Sequence, residues 1–388
     1  MPIKNRLAEM HAEITGWRRH LHENPELQFE VHETAAFVEE KLRSFGIDEI
    51  TTGIGQTGVV GVIKGKSDTL GRVVGLRADM DALPILEATG LEYASKVPGM
   101  MHACGHDGHT AMLLGAAKYL AETRNFDGTV VLIFQPAEEG GGGGREMVND
   151  GLMERWNIQE VYGMHNEPGV TAGDFLIRPG AVMASADEFF VTVTGQGGHA
   201  AAPHEAIDPN LAAAHVLIAL QSIASRNVDP LGHVVVSVCS VHSDTEATNV
   251  IPQSVRMGGT VRALDETVRM QVQERVHQIA NATAEAYGCT ATVDYKNGYP
   301  VTVNAEENTR YAADVARSVA GKVDEDAPQI MAAEDFSFML NERPGAYIFL
   351  GNGDGATVHH PEYNFNDDVI PAGCSWFAEM VETRMPAS

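Results

Sequence analysis

Positive charge is scarce in this chain. Its 388 residues hold 27 Lys and Arg against 53 Asp and Glu, a formal net charge of -26. So acidic a surface repels nucleic acid and anionic lipid, and neither is expected as a partner. An anionic substrate would have to be met by metal ions, Arg or amide donors gathered locally against the global field. Cysteine is also sparse: Cys104, Cys239, Cys289 and Cys374 are scattered, with neither a disulfide-framework spacing nor a CxxC redox pair. No apolar run approaches the roughly 18 to 20 residues that a membrane-spanning helix needs. The opening stretch, MPIKNRLAEMHAEITGWRRHLHENPEL, lacks the continuous apolar segment of a secretion signal and reads as an amphipathic helix. A cytoplasmic protein without a membrane partner is expected. No GxSxG elbow supplies a serine nucleophile. There is no internal repeat, and the only low-complexity run is Gly140 to Gly144.

Hydrophobic residues at 44% and charged residues at 21% are those of a soluble globular protein, and the length favours two domains over one. The first 180 residues alternate helical and extended patterns. Residues 33–45 have helical spacing, 58–65 and 72–80 are β-branched and bounded by glycine, 110–123 are helical, and TVVLIFQP (129–136) is continuously apolar like a buried strand. This order predicts an α/β fold, a sheet covered by helices. From about residue 187 the pattern reads strand, helix, two strands, long helix, strand. That is the ferredoxin-like β-α-β-β-α-β unit. After Pro300 a helix (307–321) and the apolar strand AYIFLG return to the first sheet. The expected division is 1–184 and 301–388 for the main domain, with 185–300 inserted. Exposed edge strands of such an insert can pair with those of a twin, so a homodimer or a dimer-based oligomer is expected.

Four distant stretches share one design, an apolar strand or its end followed by metal-competent side chains. They are RADMDALP with Asp79 and Asp81; HACGHDGH with Cys104, His106, Asp107 and His109; FQPAEEGGGGG with Glu138 and Glu139; and VYGMHNEPG with His165. VHHPEYNFND adds His359 and His360. In open α/β sheets, ligands gather at the carboxyl ends of strands. A structural zinc knuckle is excluded because no second Cys/His pair lies near the 104–109 cluster. His102 and His109 taken singly are equally compatible with capping the helix expected from Thr110. Cys104 and His106, two apart in a glycine-containing loop, can point into one cavity. Adjacent Glu138 and Glu139 leave a strand end in different directions, so one can bind metal while the other faces water, as general-base hydrolysis requires. The glycine run behind them would leave room for a ligand to approach the backbone.

RADMDALPI, MHACGHDGHTAMLLGAA, FQPAEEGGGG, GMHNEPG, GGHAAAPHEAIDP, TNVIP, AAEDFSF and HHPEYNFNDD occur in this order. Together with RRHLHENPEL at the start, they resemble the M20 metallopeptidase clan across nearly the whole chain, in the branch of aminoacylases, hippurate hydrolases and indole-acetyl-amino acid hydrolases. The resemblance implies a metallo-exopeptidase-like catalytic domain, an inserted lid and dimerisation domain, and a metal-dependent amidohydrolase acting on N-acyl-L-amino acids of the N-acetyl or N-benzoyl type. It implies two divalent ions per subunit, zinc or manganese, with cobalt or nickel also compatible. Their ligands would be Cys104 as the bridge, His106, Glu139, His165 and His359. His359 is preferred to His360 because the family pattern is His, any residue, Pro. Glu138 would be the general base on the hydrolytic water and Asp81 would orient a ligand. Asp79 stands where the wider clan has a histidine ligand, so coordination in this branch differs. His199 would stabilise the oxyanion from the neighbouring subunit, with a structural histidine in a glycine-rich turn as the alternative. Asn249 and Arg262 look like contacts to the substrate carboxylate or carbonyl, although an Arg on a strand can also pair with a surface Glu. A dipeptidase or carboxypeptidase on the same scaffold is the alternative enzyme. A non-catalytic amino-acid or peptide binding protein would lack a base or a ligand, and here every such position is filled.

Overall fold

The computed structural model describes residues 4–319 and 322–387. The first three residues of the expected N-terminal helix and the last two of the expected helix 307–321 lie outside them. The chain separates into two compact units, one formed by Ala181–Thr302 with Gln329–Glu334 and the other by the remaining segments.

The larger unit is built on an eight-stranded mixed sheet. Its strands run in the order Glu49–Ile54, Gly58–Lys64, Thr129–Gln135, Val73–Asp79, Glu160–Pro168, Gly345–Gly353, Phe175–Leu176 and Val323–Asp324. Thr129–Gln135, Val73–Asp79, Glu160–Pro168 and Gly345–Gly353 are mutually parallel. Such strands are covered on both faces, which is why Val130 to Phe134 can be apolar without alternation; all five are fully buried. The last long strand, Gly345–Gly353, pairs with Glu160–Pro168 and so completes the first sheet, as expected.

Two local departures from the expected pattern matter. The N-terminal stretch forms two helices, Asn5–Glu9 and His11–Glu23, broken at Met10. The helix expected from Thr110 begins a full turn earlier and spans His106–Thr123, with Gly105 at its N-cap. His106 and His109 therefore belong to its first turn and do not precede it. Every residue from His106 to Ala117 is buried, so this helix runs through the core with no solvent stripe to reveal its start. No helix among the described residues is long and apolar enough to cross a membrane.

The smaller unit is a four-stranded antiparallel sheet in the order Val234–Ser243, Ser254–Ala263, Ala186–Thr194, Thr290–Tyr299. Helix Pro209–Leu220 comes after strand Ala186–Thr194 in the chain, and helix Glu266–Ala286 after strand Ser254–Ala263. Both helices start as their sequences require. Asp208 accepts from the amide of Asn210 ahead of a Pro at the first helical turn, and Asp265 accepts from the amide of Val268. Ala212, Val216, Leu220, Val272, Val276 and Ala280 pack against Phe189, Val191 and Val193 of the sheet. Gln329–Glu334 joins this unit because Ala184 donates to the carbonyls of Ile330 and Ala332, and Ile330 donates to that of Val182.

Asp187 anchors the unit. It is 1% exposed and accepts from Arg269 Nε (2.9 Å) and Nη2 (2.6 Å), from the Gly298 amide (2.9 Å) and from the Tyr295 hydroxyl (3.1 Å). Removing one partner of a buried ion pair leaves the other charge uncompensated, at a cost of about 3–5 kcal/mol. Asp187→Ala is expected to destabilise this unit by that amount in denaturant titration, and a change within 0.5 kcal/mol (the ordinary range of surface substitutions) would show that the network contributes little.

Candidate metal centre

The carboxyl ends of the parallel strands gather the donors. Val73–Asp79 ends at Asp79 and leads to Asp81, Thr129–Gln135 leads to Glu138 and Glu139, and Glu160–Pro168 carries His165. The turn before helix His106–Thr123 supplies Cys104 and His106, and the segment after Gly345–Gly353 supplies His359. Cys104 Sγ lies 3.3 Å from His165 Nε2. Glu139 Oε1 lies 3.3 Å from His359 Nε2 and 3.9 Å from His106 Nε2. Cys104, His106 and His165 form one set of donor atoms within 4.8 Å of one another, and Cys104, Glu139 and His359 form a second. The two sets share the thiol. Glu138 joins a third with His106 and Glu139. The structure thus brings together the Cys104, His106, Glu138, Glu139, His165 and His359 singled out in the sequence.

Ring orientation is fixed from behind. His106 Nδ1 is 2.8 Å from the Asp81 carbonyl and His165 Nδ1 is 2.6 Å from the Asn166 carbonyl. A carbonyl oxygen can only accept, so both Nδ1 atoms carry a proton and both Nε2 atoms face the donor cluster. The Asp81 carboxylate accepts from the amides of Glu138 (2.9 Å) and Glu139 (3.1 Å), so one residue positions a histidine and both glutamates.

The electrostatics fit a divalent cation. His106 Nε2 and Glu139 Oε1 are buried and find no hydrogen-bond partner among the described residues. Burial alone would lower the His106 pKa, but Asp79, Asp81 and Glu139 outweigh it and raise it to about 10. Burial and the neighbouring His109 push His165 down to about 3, which keeps it a neutral ligand. Burial, then Glu139, Glu138 and Asp79, drive the Cys104 thiol well above its usual range. A thiol among carboxylates surrenders its proton only to a cation close by, which is what a metal supplies. His359, with 52% of its side chain exposed, is the one donor of the set at the surface.

Buried Arg77 escaped the sequence reading, which left His109 between a metal-competent residue and a helix cap. Arg77 bridges Asp79 Oδ2 (Nη1, 2.7 Å), Asp335 Oδ1 (Nη2, 2.9 Å) and Gln135 Oε1 (Nε, 2.8 Å), beneath the donors. An Arg inside the apolar strand GLRAD was the available signal, because a charge buried there must be paired. His109 Nδ1 lies 2.6 Å from Asp79 Oδ1, and its Nε2 lies 2.7 Å from Asn166 Oδ1. Part of the glycine run is required by the loop itself: a Cβ on Gly143 would sit 1.7 Å from the Pro136 carbonyl, and Gly144 donates to Asp335 Oδ2 at 2.8 Å.

The remaining sequence candidates lie on the smaller unit. His199 is exposed on the short strand Gly198–His199, which pairs with Val250–Ile251, and the Ala200 amide donates to the Asn249 carbonyl at 3.1 Å. His199 and Asn249 are therefore neighbours. Arg262 is half-buried on strand Ser254–Ala263, bonded to the Thr260 hydroxyl and the Val261 carbonyl of its own strand.

A mixed α/β sheet with carboxylate, imidazole and thiol donors converging at its carboxyl edge, and an antiparallel insert, define a metal-dependent hydrolase. The chain belongs to Peptidase family M20/M25/M40, whose model matches residues 75–383, and is a metal-dependent amidohydrolase of that family. It is 42% identical to a hippurate hydrolase of Campylobacter jejuni over 96% of this chain and 97% of that one. It is 40% identical to an N-acetyl-L-cysteine deacetylase of Bacillus subtilis (94% and 86%) and 40% identical to thermostable carboxypeptidase 2 of Saccharolobus solfataricus (96% and 95%). Among solved structures, a putative aminohydrolase from methicillin-resistant Staphylococcus aureus superposes with a TM-score of 0.92 at 34% identity, covering 98% of each chain. A Bacillus subtilis protein described as a dinuclear metal binding peptidase of the M20 family gives 0.86 at 34% identity, covering 98% and 100%.

Behind the donors, His22 Nδ1 lies 2.8 Å from Asp107 Oδ2, and His22 Nε2 lies 3.4 Å from Glu87 Oε1. Burial opposes the charge on His22, but these carboxylates outweigh it and raise its pKa from 6.5 to about 9. A folded-state pKa above the unfolded one stabilises fully below pH 6.5, and that stability is lost as the pH rises through about 9. In metal-free protein, the stability gap between wild type and His22→Gln is expected to narrow across that window. A gap that stays constant from pH 6 to 9.5 in denaturant titrations would refute the assignment.

Proposed function

We propose that the protein hydrolyses the amide bond of N-acyl-L-amino acids, of the N-acetyl or N-benzoyl type, to a carboxylic acid and a free amino acid. The observation that carries this reading is the pair of donor sets sharing Cys104. Cys104, His106, Glu139, His165 and His359 would hold two divalent ions, zinc or manganese; the Bacillus subtilis neighbour is described as a dinuclear metal binding peptidase. When bound there, such ions polarise the scissile carbonyl and acidify the attacking water.

The chain's own groups do the rest. Glu138 takes a proton from the attacking water and returns it to the leaving nitrogen, so that water and amide become acid and amine. Asp81 holds Glu138 by its amide and His106 by its ring. His199 donates to the carbonyl oxygen as negative charge develops, from the neighbouring subunit. Asn249 and Arg262 bind the substrate carboxylate or carbonyl and supply the local positive potential that a chain of net charge -26 otherwise lacks.

The working form is a homodimer or a dimer-based assembly in the cytoplasm. Support comes from the smaller unit: its edge strand Val234–Ser243 leaves Val235 and Val241 exposed, and helix Pro209–Leu220 leaves Leu211 and Ile218 exposed. All four cysteines are free, which suits a reducing compartment.

Release of free amine from a panel of N-acetyl and N-benzoyl amino acids is expected to vanish with chelator and return with zinc or manganese. Dipeptides and blocked peptides in the same panel test the carboxypeptidase chemistry named for the archaeal relative. Glu138→Gln should keep its metal content by elemental analysis and lose roughly 10²–10⁴-fold in turnover; near-normal rates would sink the base assignment. Light scattering should find a dimer, and a fully active monomer would contradict the cross-subunit role of His199.

A further inference from the structure

The proposed ligands come from stretches far apart in sequence, and one buried contact joins three of them. The Tyr363 hydroxyl is enclosed in the core and accepts a hydrogen bond from Asn166 Nδ2 at 2.7 Å. Asn166 directly follows His165, and its carbonyl fixes the His165 ring. Tyr363 lies on the segment that carries His359. Between amide and phenol sits Gly105, the residue separating Cys104 from His106. Its φ is +94°, and a Cβ there would lie 2.1 Å from Asn166 Oδ1 and 2.7 Å from the Tyr363 hydroxyl. Both polar groups are therefore packed directly onto the Cα of the turn. Asn166 Oδ1 is held in turn by His109, 2.7 Å away, and His109 by Asp79. The His359 amide donates to the Ala103 carbonyl at 2.7 Å, a second tie between the same segment and the same turn.

We propose that Tyr363 and Asn166 are positioning residues that set the spacing of the Cys104–His106 turn, His165 and His359. Cation affinity then depends on a hydroxyl that touches no ion. The inference rests on the ligand assignment proposed above. Without the phenol oxygen, the Asn166 amide donor is buried unpaired, and the side chain that seats Gly105 is free to turn. The donors remain, but their spacing relaxes.

The test uses the full chain, stripped of metal and titrated with cobalt(II) or zinc(II) against a chromophoric chelator. Tyr363→Phe removes one atom and keeps the ring. It is expected to lower the metal-free unfolding midpoint modestly, through the unpaired Asn166 donor, to bind either cation about 10–100-fold more weakly, and to shift the thiolate-to-cobalt absorption band. Asn166→Ala should weaken binding at least as much, and Y363F should add little in the N166A background, since the two act through one contact. Unchanged affinity and an unchanged band in Tyr363→Phe would overturn the proposal. So would a lowered metal-free midpoint with affinity intact, because that is a purely structural role. Cys104→Ala separates the two readings. If it binds cobalt like the wild type, the ligand assignment has failed; if it loses the band while Tyr363→Phe keeps it, only the positioning role has.

Discussion

Carboxylates withdrawn from water need positive charge beside them, and in a chain of net charge -26 little of it is to hand. The carboxyl edge of the main sheet buries Asp79, Asp81, Glu138 and Asp335 almost completely. Arg77 answers two of them, Asp79 and Asp335, from within the strand. His109 answers Asp79 again. Around His106, the carboxylates of Asp79, Asp81 and Glu139 outweigh burial and drive the imidazole to hold a proton up to about 10. A divalent ion resolves that imbalance more completely than a proton does. It also allows the Cys104 thiol, otherwise held far from ionisation by the same carboxylates, to become a thiolate. The acidic composition, which argues against nucleic acid and membrane partners, is also what makes a cation-binding edge economical to build.

Fixed backbone acceptors then turn a pool of donors into a directed set. The Asp81 and Asn166 carbonyls each take the Nδ1 proton of one histidine, which leaves the Nε2 atoms as the only ligand atoms those rings can present. The carboxylate of Asp81 gathers the amides of Glu138 and Glu139 in the same stroke. One aspartate therefore holds an imidazole ring and the backbone amides of two glutamates. The family resemblance implied that Asp81 orients a ligand, but its partners, 25, 57 and 58 residues away, are named only by the structure.

Much of this was legible in the sequence, for a physical reason. Strand TVVLIFQP declared itself by unbroken apolarity, the insert by its alternation of strand and helix patterns, and the donor stretches by residue types that are costly to bury without a task. What stayed hidden depends on packing. The start of helix His106–Thr123 was invisible because a helix buried on every side has no amphipathic stripe and here no side-chain cap. Asn166 and Tyr363 are ordinary residue types whose importance lies in meeting each other, 197 positions apart. The glycine run has a packing reason that the sequence did not show: a Cβ on Gly143 would sit 1.7 Å from the Pro136 carbonyl, while Gly140 faces open space.

The backbone itself carries part of the site's cost. Among the few non-glycine residues with positive φ are Ala137, at +53°, immediately before Glu138, and His359, at +65°. Such conformations are disfavoured for residues with a Cβ and persist only where the surroundings over-determine them. Here they do. The Ala137 carbonyl accepts from Gly143, and the next two amides are held by Asp81, while the His359 amide is tied to Ala103. The strain is thus placed at two segments that present proposed ligands and the proposed base, and is offset by bonds that do not involve a metal. Bonds of this kind restrain the site without calling on a cation to order it. Binding energy that a floppy site would spend on ordering its loops is then available for holding an ion.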